Sequence, residues 1–314
     1  MEFLQQLVNG LSLGALYALI AVGYTVVYGI IQLINFAHGE VFMIGAFGAL
    51  STWLIIGSAN DNLSLWLLPV MLLGGAIASV GVALLMERYA YRPLRNAPRL
   101  APLITAIGVS IFLQELVRLF YGEVPGFPDA KRAIPFPQID YVTGPAINVG
   151  GLVIQRAALF TLIALVICSI ILFIFINRSR LGRAMQATSQ DPDTSRLMGI
   201  NVDRIIMLAF AIGAALAAVA GLAWGLRYTN IDFRMGFVAG LKAFTAAVLG
   251  GIGNIAGAVV GGLVIGVVEA MATAYIPGRF GGSAWKDVWA FVILILVLVF
   301  RPQGLLGSRV VDRA

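Results

Sequence analysis

Charge is scarce in this chain. Only 11% of its 314 residues are Asp, Glu, Lys or Arg, where an average soluble domain carries about 25%. Polar surface is what separates a core from water, so this balance argues against a water-soluble globular enzyme. Cysteine is nearly absent as well. Cys168 stands alone, which excludes an intrachain disulfide, a Cys-rich zinc site and CxxC redox chemistry. The only histidine is His38, so a His-based metal cluster or an HExxH site is out of reach. No GxxxxGK[ST] loop occurs, and with it goes ATP binding by a Walker motif. No DxxxD or DDxxD pair lies in or beside an apolar run, as membrane prenyl-transfer chemistry would require. The opening Met-Glu-Phe lacks the basic start of a cleaved signal peptide.

What remains is apolar. Residues of the set AVILMFWYC make up 60% of the chain, with 36 glycines. The 21 Lys and Arg fall in short loops between apolar runs rather than in a phosphate-binding footprint, so nucleic acid is not a partner. A bilayer core of about 30 Å needs roughly 20 apolar residues. Uncharged runs of that order lie at Asn62–Met86, Ala157–Asn177, Ile205–Leu226 and Ala243–Val268. Leu100–Phe120 qualifies despite Glu115 and Arg118, and Val288–Phe300 does so with flanking residues. Trp53, Trp66, Trp285 and Trp289 sit near run ends, at the headgroup level. The expectation is an all-α polytopic integral membrane protein, one domain over 1–314. It has nine or ten membrane segments, broken or re-entrant helices among them.

Phe3 to Gly39 carries no charge, and as one helix would measure about 55 Å, too long for a single span. Either a long helix is followed by a broken one at Asn35–Gly39, or residues 3–60 form three tight spans. Glycines interrupt the apolar stretch again at Leu249–Gly257. Arginine counts orient the chain, because short cytoplasmic loops retain positive charge. Loop 87–99 carries Arg88, Arg92, Arg95 and Arg99, loop 178–204 carries five arginines, and the tail carries Arg301, Arg309 and Arg313. These are expected inside, C-terminus included. The proline-rich loop 121–156, in which Lys131, Arg132 and Arg156 are balanced by Glu123, Asp129 and Asp140, is expected outside with a short hairpin. Nine segments put the N-terminus outside and ten put it inside; its lack of basic residues favours outside.

Three stretches carry polar chemistry. Asn35, His38 and Glu40 stand close enough to share a broken turn at membrane depth, where ionisable groups face a bundle interior or water. They line or gate a pathway, or else the stretch is a loop at the membrane edge with Glu40 solvated. Glu115 and Glu269 raise the same question. Taken singly, each reads as structural or interfacial, since Glu269 precedes Pro277 by two turns. Gly253, Gly257 and Gly261 recur every fourth residue, a spacing that lets helix backbones approach closely. No soluble strand precedes them to make a phosphate cradle. A membrane-embedded break, whose freed backbone groups and Asn254 line a cavity, is compatible with that packing. In loop 178–204, Asp191 can cap a helix that Pro192 begins and Gly199 stops. Two turns are marginal alone, so the apolar tip of Leu197, Met198 and Ile200, with Arg183 and Arg196, is read as a docking knob for a partner.

The segments INFAHG (34–39), ERYAYRPLR (87–95), GRAM (182–185), AAVLGGIGNIAGAVVGG (246–262) and RPQGLLG (301–307) together resemble bacterial branched-chain amino acid ABC importer permeases of the LivH type. The resemblance runs from about Leu4 to Gly307. It implies a homologous LivM-type permease as partner. It also implies two ATPase subunits that bind ATP and Mg on the cytoplasmic side, and a periplasmic protein that delivers leucine, isoleucine or valine. This chain would then bind no cofactor and catalyse nothing, sitting multi-pass in the bacterial inner membrane. The family's ATPase-coupling loop maps onto Arg183–Ile200. Family members often carry a basic residue where this chain has Gln186. Related permeases import other amino acids, short amides or urea, and the motifs do not separate these cargoes. The urea type usually carries an extra N-terminal domain. A self-sufficient channel or secondary carrier is the rival reading, with breaks at 34–39 and 250–257, but few intramembrane carboxylates serve ion coupling.

Overall fold

The structure, a computed structural model, describes residues 2–33, 35–57, 66–95, 97–98, 100–139, 141–282 and 284–307. Ile34, Asp61, Asn62, Arg99, Asp140, Arg309 and Arg313, used in the sequence reading, lie outside the described residues.

The chain opens with one helix, α1 (Glu2–Ile31), which at 1.5 Å per residue is about 45 Å long. It is apolar on all sides because it is surrounded: Ala15, Leu16, Ala18, Ile20 and Ala21 have no exposed surface. After a break, α2 (His38–Thr52) runs back and ends in a π-helical turn at Trp53–Gly57. The reading of three tight spans within residues 3–60 is therefore set aside in favour of a long helix and a broken one. Next come α3 (Leu67–Met86), continued as a wide turn through Tyr91, and α4 (Leu100–Phe120). The proline-rich loop holds three short strands, β1 (Ile134–Pro135), β2 (Pro145–Val149) and β3 (Leu152–Gln155), of which β2 and β3 form an antiparallel hairpin. Helices α5 (Arg156–Arg178), α6 (Arg180–Gln190), α7 (Pro192–Leu197) and α8 (Val202–Tyr228) follow, so loop 178–204 is mostly helical. Strand β4 (Asn230–Ile231) pairs back onto β1. The chain finishes with α9 (Met235–Gly250), α10 (Ile255–Tyr275) and α11 (Lys286–Phe300).

Seven described helices are long and apolar enough to cross a membrane, and Met235–Gly250 is a shorter apolar one. The run Ala243–Val268, expected as one span, is divided between α9 and α10 at Gly251–Asn254. With α9 and the 15-residue α11, the long apolar helices among the described residues number nine. Contacts at the two ends of the bundle tie distant segments together. Gln5 exchanges hydrogen bonds with the Val153 backbone at 2.9 and 2.8 Å, tying the start of α1 to the β2–β3 hairpin. At the opposite end, the backbone of Leu305 and Leu306 donates to Leu249 and Gly250, beside the α9–α10 turn.

Helices α1, α2, α8, α9 and α10 pack together as the centre of the bundle. At the α1–α10 crossing, a Cβ on Gly262 or Gly266 would strike the backbone of Ala18 or Gly14. The two backbones meet where lipid gives no hydrophobic drive and close contact must suffice. The outer helices keep large apolar side chains exposed, such as Ile104 and Phe112 on α4 and Ile171 and Phe173 on α5. A water-facing surface could not carry these, and a bilayer-facing one requires them.

Candidate functional site

Polar chemistry gathers in three places, and the first is the break between α1 and α2. Asn35, His38 and Glu40 are 3%, 2% and 0% exposed. The alternative of a membrane-edge loop with Glu40 solvated therefore fails: all three side chains are buried. The three side chains diverge instead of facing one channel. Asn35 Oδ1 accepts from the Tyr91 hydroxyl at 2.7 Å, at the tail of α3. His38 lies against Tyr24 of α1, ring centroids 4.7 Å apart. Glu40 Oε1 accepts from Ser110 Oγ at 2.9 Å and Gln114 Nε2 at 2.8 Å, both on α4. One polar atom on each, Asn35 Nδ2, His38 Nε2 and Glu40 Oε2, has no hydrogen-bond partner among the described residues.

The second place is a charge cluster that the sequence reading missed. Lys242 on α9, 3% exposed, donates to Glu269 Oε1 and Oε2 of α10 at 2.9 and 3.0 Å and to the Tyr17 hydroxyl at 3.1 Å. Tyr17 in turn donates to Glu269 Oε2 at 3.0 Å. Asp287 Oδ1, from the first turn of α11, makes an ion-pair contact with Lys242 at 2.5 Å, without hydrogen-bond geometry. Lys286 Nζ stands 3.8 Å from Glu269 Oε1. Glu269 is thus not interfacial; it is buried in an ion pair, and a buried charge is tolerated only when paired and hydrogen-bonded. The sequence signal was a lysine inside an otherwise uncharged stretch. Lys242 and Glu269 flank the uncharged run Ala243–Val268 at its two ends, so sequence spacing does not show them as partners. Tyr17, Lys242 and Lys286 of this cluster line a cavity of about 250 Å³, together with Trp224, Tyr228, Asp232 and Arg234. Tyr228 and Asp232 belong to the end of the bundle where β4 meets β1.

The third place is at the opposite end. Asp191 caps α7, its Oδ1 accepting from the backbone of Asp193 and Thr194, both at 3.0 Å, and Oδ2 from the Thr194 hydroxyl. The hydroxyl first and the backbone donor of Thr194 next hold its carboxyl below the usual carboxylate range. Pro192 occupies the first turn, and Gly199 leaves the helix at φ 83°, a left-handed conformation that costs glycine little. Arg196 pairs with Asp193 at 2.7 Å. Leu197 and Met198 project with 87% and 78% exposure, while Ile200 is half-buried against the core. Arg183 is exposed on α6, whose other face buries Gly182, Met185 and Thr188. Beside this knob a cavity of about 510 Å³ opens between α1, α5, α6 and the α9–α10 turn. Asn254 lies on its wall, yet its side chain is engaged: it caps α10 at Gly257 N (3.2 Å) and donates to Leu306 O (2.8 Å).

The glycines separate as well. A Cβ on Gly257 would meet Gly250 O and one on Gly261 would meet Ala246 O, so both sit at the α9–α10 contact. Gly253 does not, contrary to the spacing argument. A Cβ there would meet nothing within 4 Å, and the residue takes φ 93° in the turn itself, so its role is backbone conformation rather than helix packing.

No group of three or more His, Cys, Asp or Glu side chains that could hold a metal ion occurs among the described residues. The family model for the permease component of branched-chain amino acid transport systems matches residues 6–298. The chain belongs to that family. It is 48% identical to the high-affinity branched-chain amino acid transport system permease protein BraD of Pseudomonas aeruginosa, covering 99% of this chain and 98% of that one. It is 43% identical to the permease protein LivH of Escherichia coli K12, covering 99% and 97%. A more distant relative, a probable LivH of Methanocaldococcus jannaschii, is 28% identical over 93% of this chain and 89% of its own. The matched residues span both the charge cluster and the knob.

Proposed function

We infer that this permease forms half of the translocation pathway of an ATP-driven importer for leucine, isoleucine and valine, in a bacterial inner membrane. A homologous LivM-type permease supplies the other half. Two ATPase subunits hold ATP and Mg, and a periplasmic binding protein delivers the cargo. The carrying observation is near-complete coverage by relatives that are themselves branched-chain amino acid permeases. The knob supports the coupling role: a capped two-turn helix that presents Leu197 and Met198 to water is stabilised by burying them on a partner. On this reading Arg183, Asp191, Arg196, Leu197, Met198, Gly199 and Ile200 form the ATPase contact, and the C-terminal segment shares their cytoplasmic side. Cargo enters on the hairpin side above Glu269, while Asn35, His38 and Glu40 form a buried hinge behind the pathway. Asn254 stands on the wall of its inner mouth.

Reconstituted vesicles test the reading. The complete complex accumulates leucine only with ATP, and Gly199→Pro or Arg196→Glu uncouples hydrolysis from uptake while the chain still inserts. Uphill uptake by this chain alone would overturn the proposal, and normal coupling in both variants would remove the knob from it.

A further inference from the structure

Lys242 and three other charged side chains meet, and the four sum to zero: Lys242 and Lys286 against Glu269 and Asp287. Such a quartet is a costly way to hold α9, α10 and α11 together, since well-packed apolar residues serve stability as well or better. It also stands in a particular place. Its lysine lines a cavity of about 250 Å³, somewhat under the roughly 300–1,000 Å³ typical of sites for drug-sized ligands. One small molecule fits. The cavity walls are of two kinds. Trp224 and Tyr228 stack with ring centroids 4.4 Å apart, and Val238 adds an aliphatic surface, together making an apolar side. On the charged side, Lys242, Lys286 and Arg234 supply positive charge and Asp232 negative, and the carboxylates of Glu269 and Asp287 behind Lys242 balance the excess.

We propose that this cavity is a cargo-binding site within the permease, which takes a zwitterionic amino acid with its carboxylate on Lys242, its ammonium on Asp232 and its aliphatic side chain against Trp224, Tyr228 and Val238. The proposal rests on the cargo named above and adds a site to it. Charge conservation is the physical reason for the match. A zwitterion brings one charge of each sign, so Lys242 can share its hydrogen bonds between Glu269 and the cargo carboxylate without leaving a net buried charge. An amine lacking the carboxylate, or an acid lacking the ammonium, leaves one charge uncompensated in a low-dielectric pocket. An uncharged amide gains nothing from the pair. Tyr17 bonds to both Lys242 and Glu269 and positions the lysine as its partner changes.

The test uses the assembled importer in nanodiscs or vesicles, with tritiated leucine as the probe. Lys242→Gln combined with Glu269→Gln keeps the cluster's net charge unchanged, and is expected to lower leucine uptake at least tenfold in complexes that still assemble. The exchanged pair, Lys242→Glu with Glu269→Lys, restores the ion pair but reverses its direction, and uptake is expected to stay low. Recovery of wild-type uptake by the exchanged pair would overturn the site and leave a purely structural ion pair. Val238→Trp covers the case in which the charge variants fail to assemble. Val238 is 47% exposed, so the larger ring narrows the cavity without touching the quartet, and uptake is expected to fall at least fivefold. Unchanged uptake in that variant would overturn the site too. A wild-type complex that accumulates another cargo and no leucine would instead overturn the cargo reading, whatever the variants do.

Discussion

The bundle is interrupted twice, between α1 and α2 and between α9 and α10, and the two interruptions solve the same problem in opposite ways. At 251–254 the turn is tied down from both sides. Gly251 and Gly253 take φ of 105° and 93°, Asn254 caps the next helix, and the carbonyls of Leu249 and Gly250 accept from Leu305 and Leu306. At 32–37 the turn is made by Gln32 at φ 54°, a conformation glycine would adopt more easily. No side chain caps α2, and three buried polar atoms are left unmatched. Each such atom costs about 1–3 kcal/mol. One break is therefore a finished joint and the other holds strain. Strain of this kind persists where an element has a second arrangement to move into, so the first break is where the permease should move.

The largest expected effect comes from jamming the strained break. A Cβ on Gly39 would strike Gly236 O and the Gly240 backbone where α2 crosses α9. Gly39→Val should therefore destabilise the chain by about 3 kcal/mol, read as lost thermal stability in detergent; a stable variant would mean α2 and α9 can separate freely. Next in size, Asn35→Leu removes both the bond from Tyr91 and an unmatched amide. Stability should shift by about 1 kcal/mol, yet uptake should fall roughly tenfold, or about 1.4 kcal/mol of barrier. Wild-type uptake kinetics in this variant would make both breaks equally passive.

Much of this difference was invisible in the amino-acid sequence, for a physical reason. Both breaks announce themselves alike, as polar or glycine residues inside apolar runs, and INFAHG and GGIGN place the interruptions correctly. What sequence spacing does not reveal is which partner each side chain meets. Asn35 finds Tyr91 and Glu40 finds Gln114, 56 and 74 residues away. The knob was legible because capping is local: Asp191, Pro192 and Gly199 act within nine residues of one another. The charge cluster was not, because Tyr17, Lys242, Glu269 and Asp287 come from four helices. No single stretch contains two of its opposite charges in contact. Arg95 likewise looked like topology alone, but it bonds to Glu87 and to Asp203, tying the tail of α3 to the start of α8.

The finished joint should respond to mutation in stability and not in transport. Asn254→Ala removes the cap and the bond to Leu306, at about 1 kcal/mol, and leucine uptake should remain within twofold of wild type. A tenfold loss of uptake would place the α9–α10 turn among the moving parts and erase the contrast.

Gly253→Ala is the smallest and most selective change. Nothing lies within 4 Å of the added Cβ, so no packing term enters, and the only cost is a left-handed backbone that alanine adopts less readily. That amounts to about 1 kcal/mol. Gly257→Ala, four residues on, lies in ordinary helical backbone but has the Gly250 carbonyl in the way, and it should cost clearly more. Comparing thermal unfolding of the two variants separates backbone strain from helix packing within one turn. Equal losses would mean that the α9–α10 contact yields to a methyl group, and the joint would then be as soft as the break it is contrasted with.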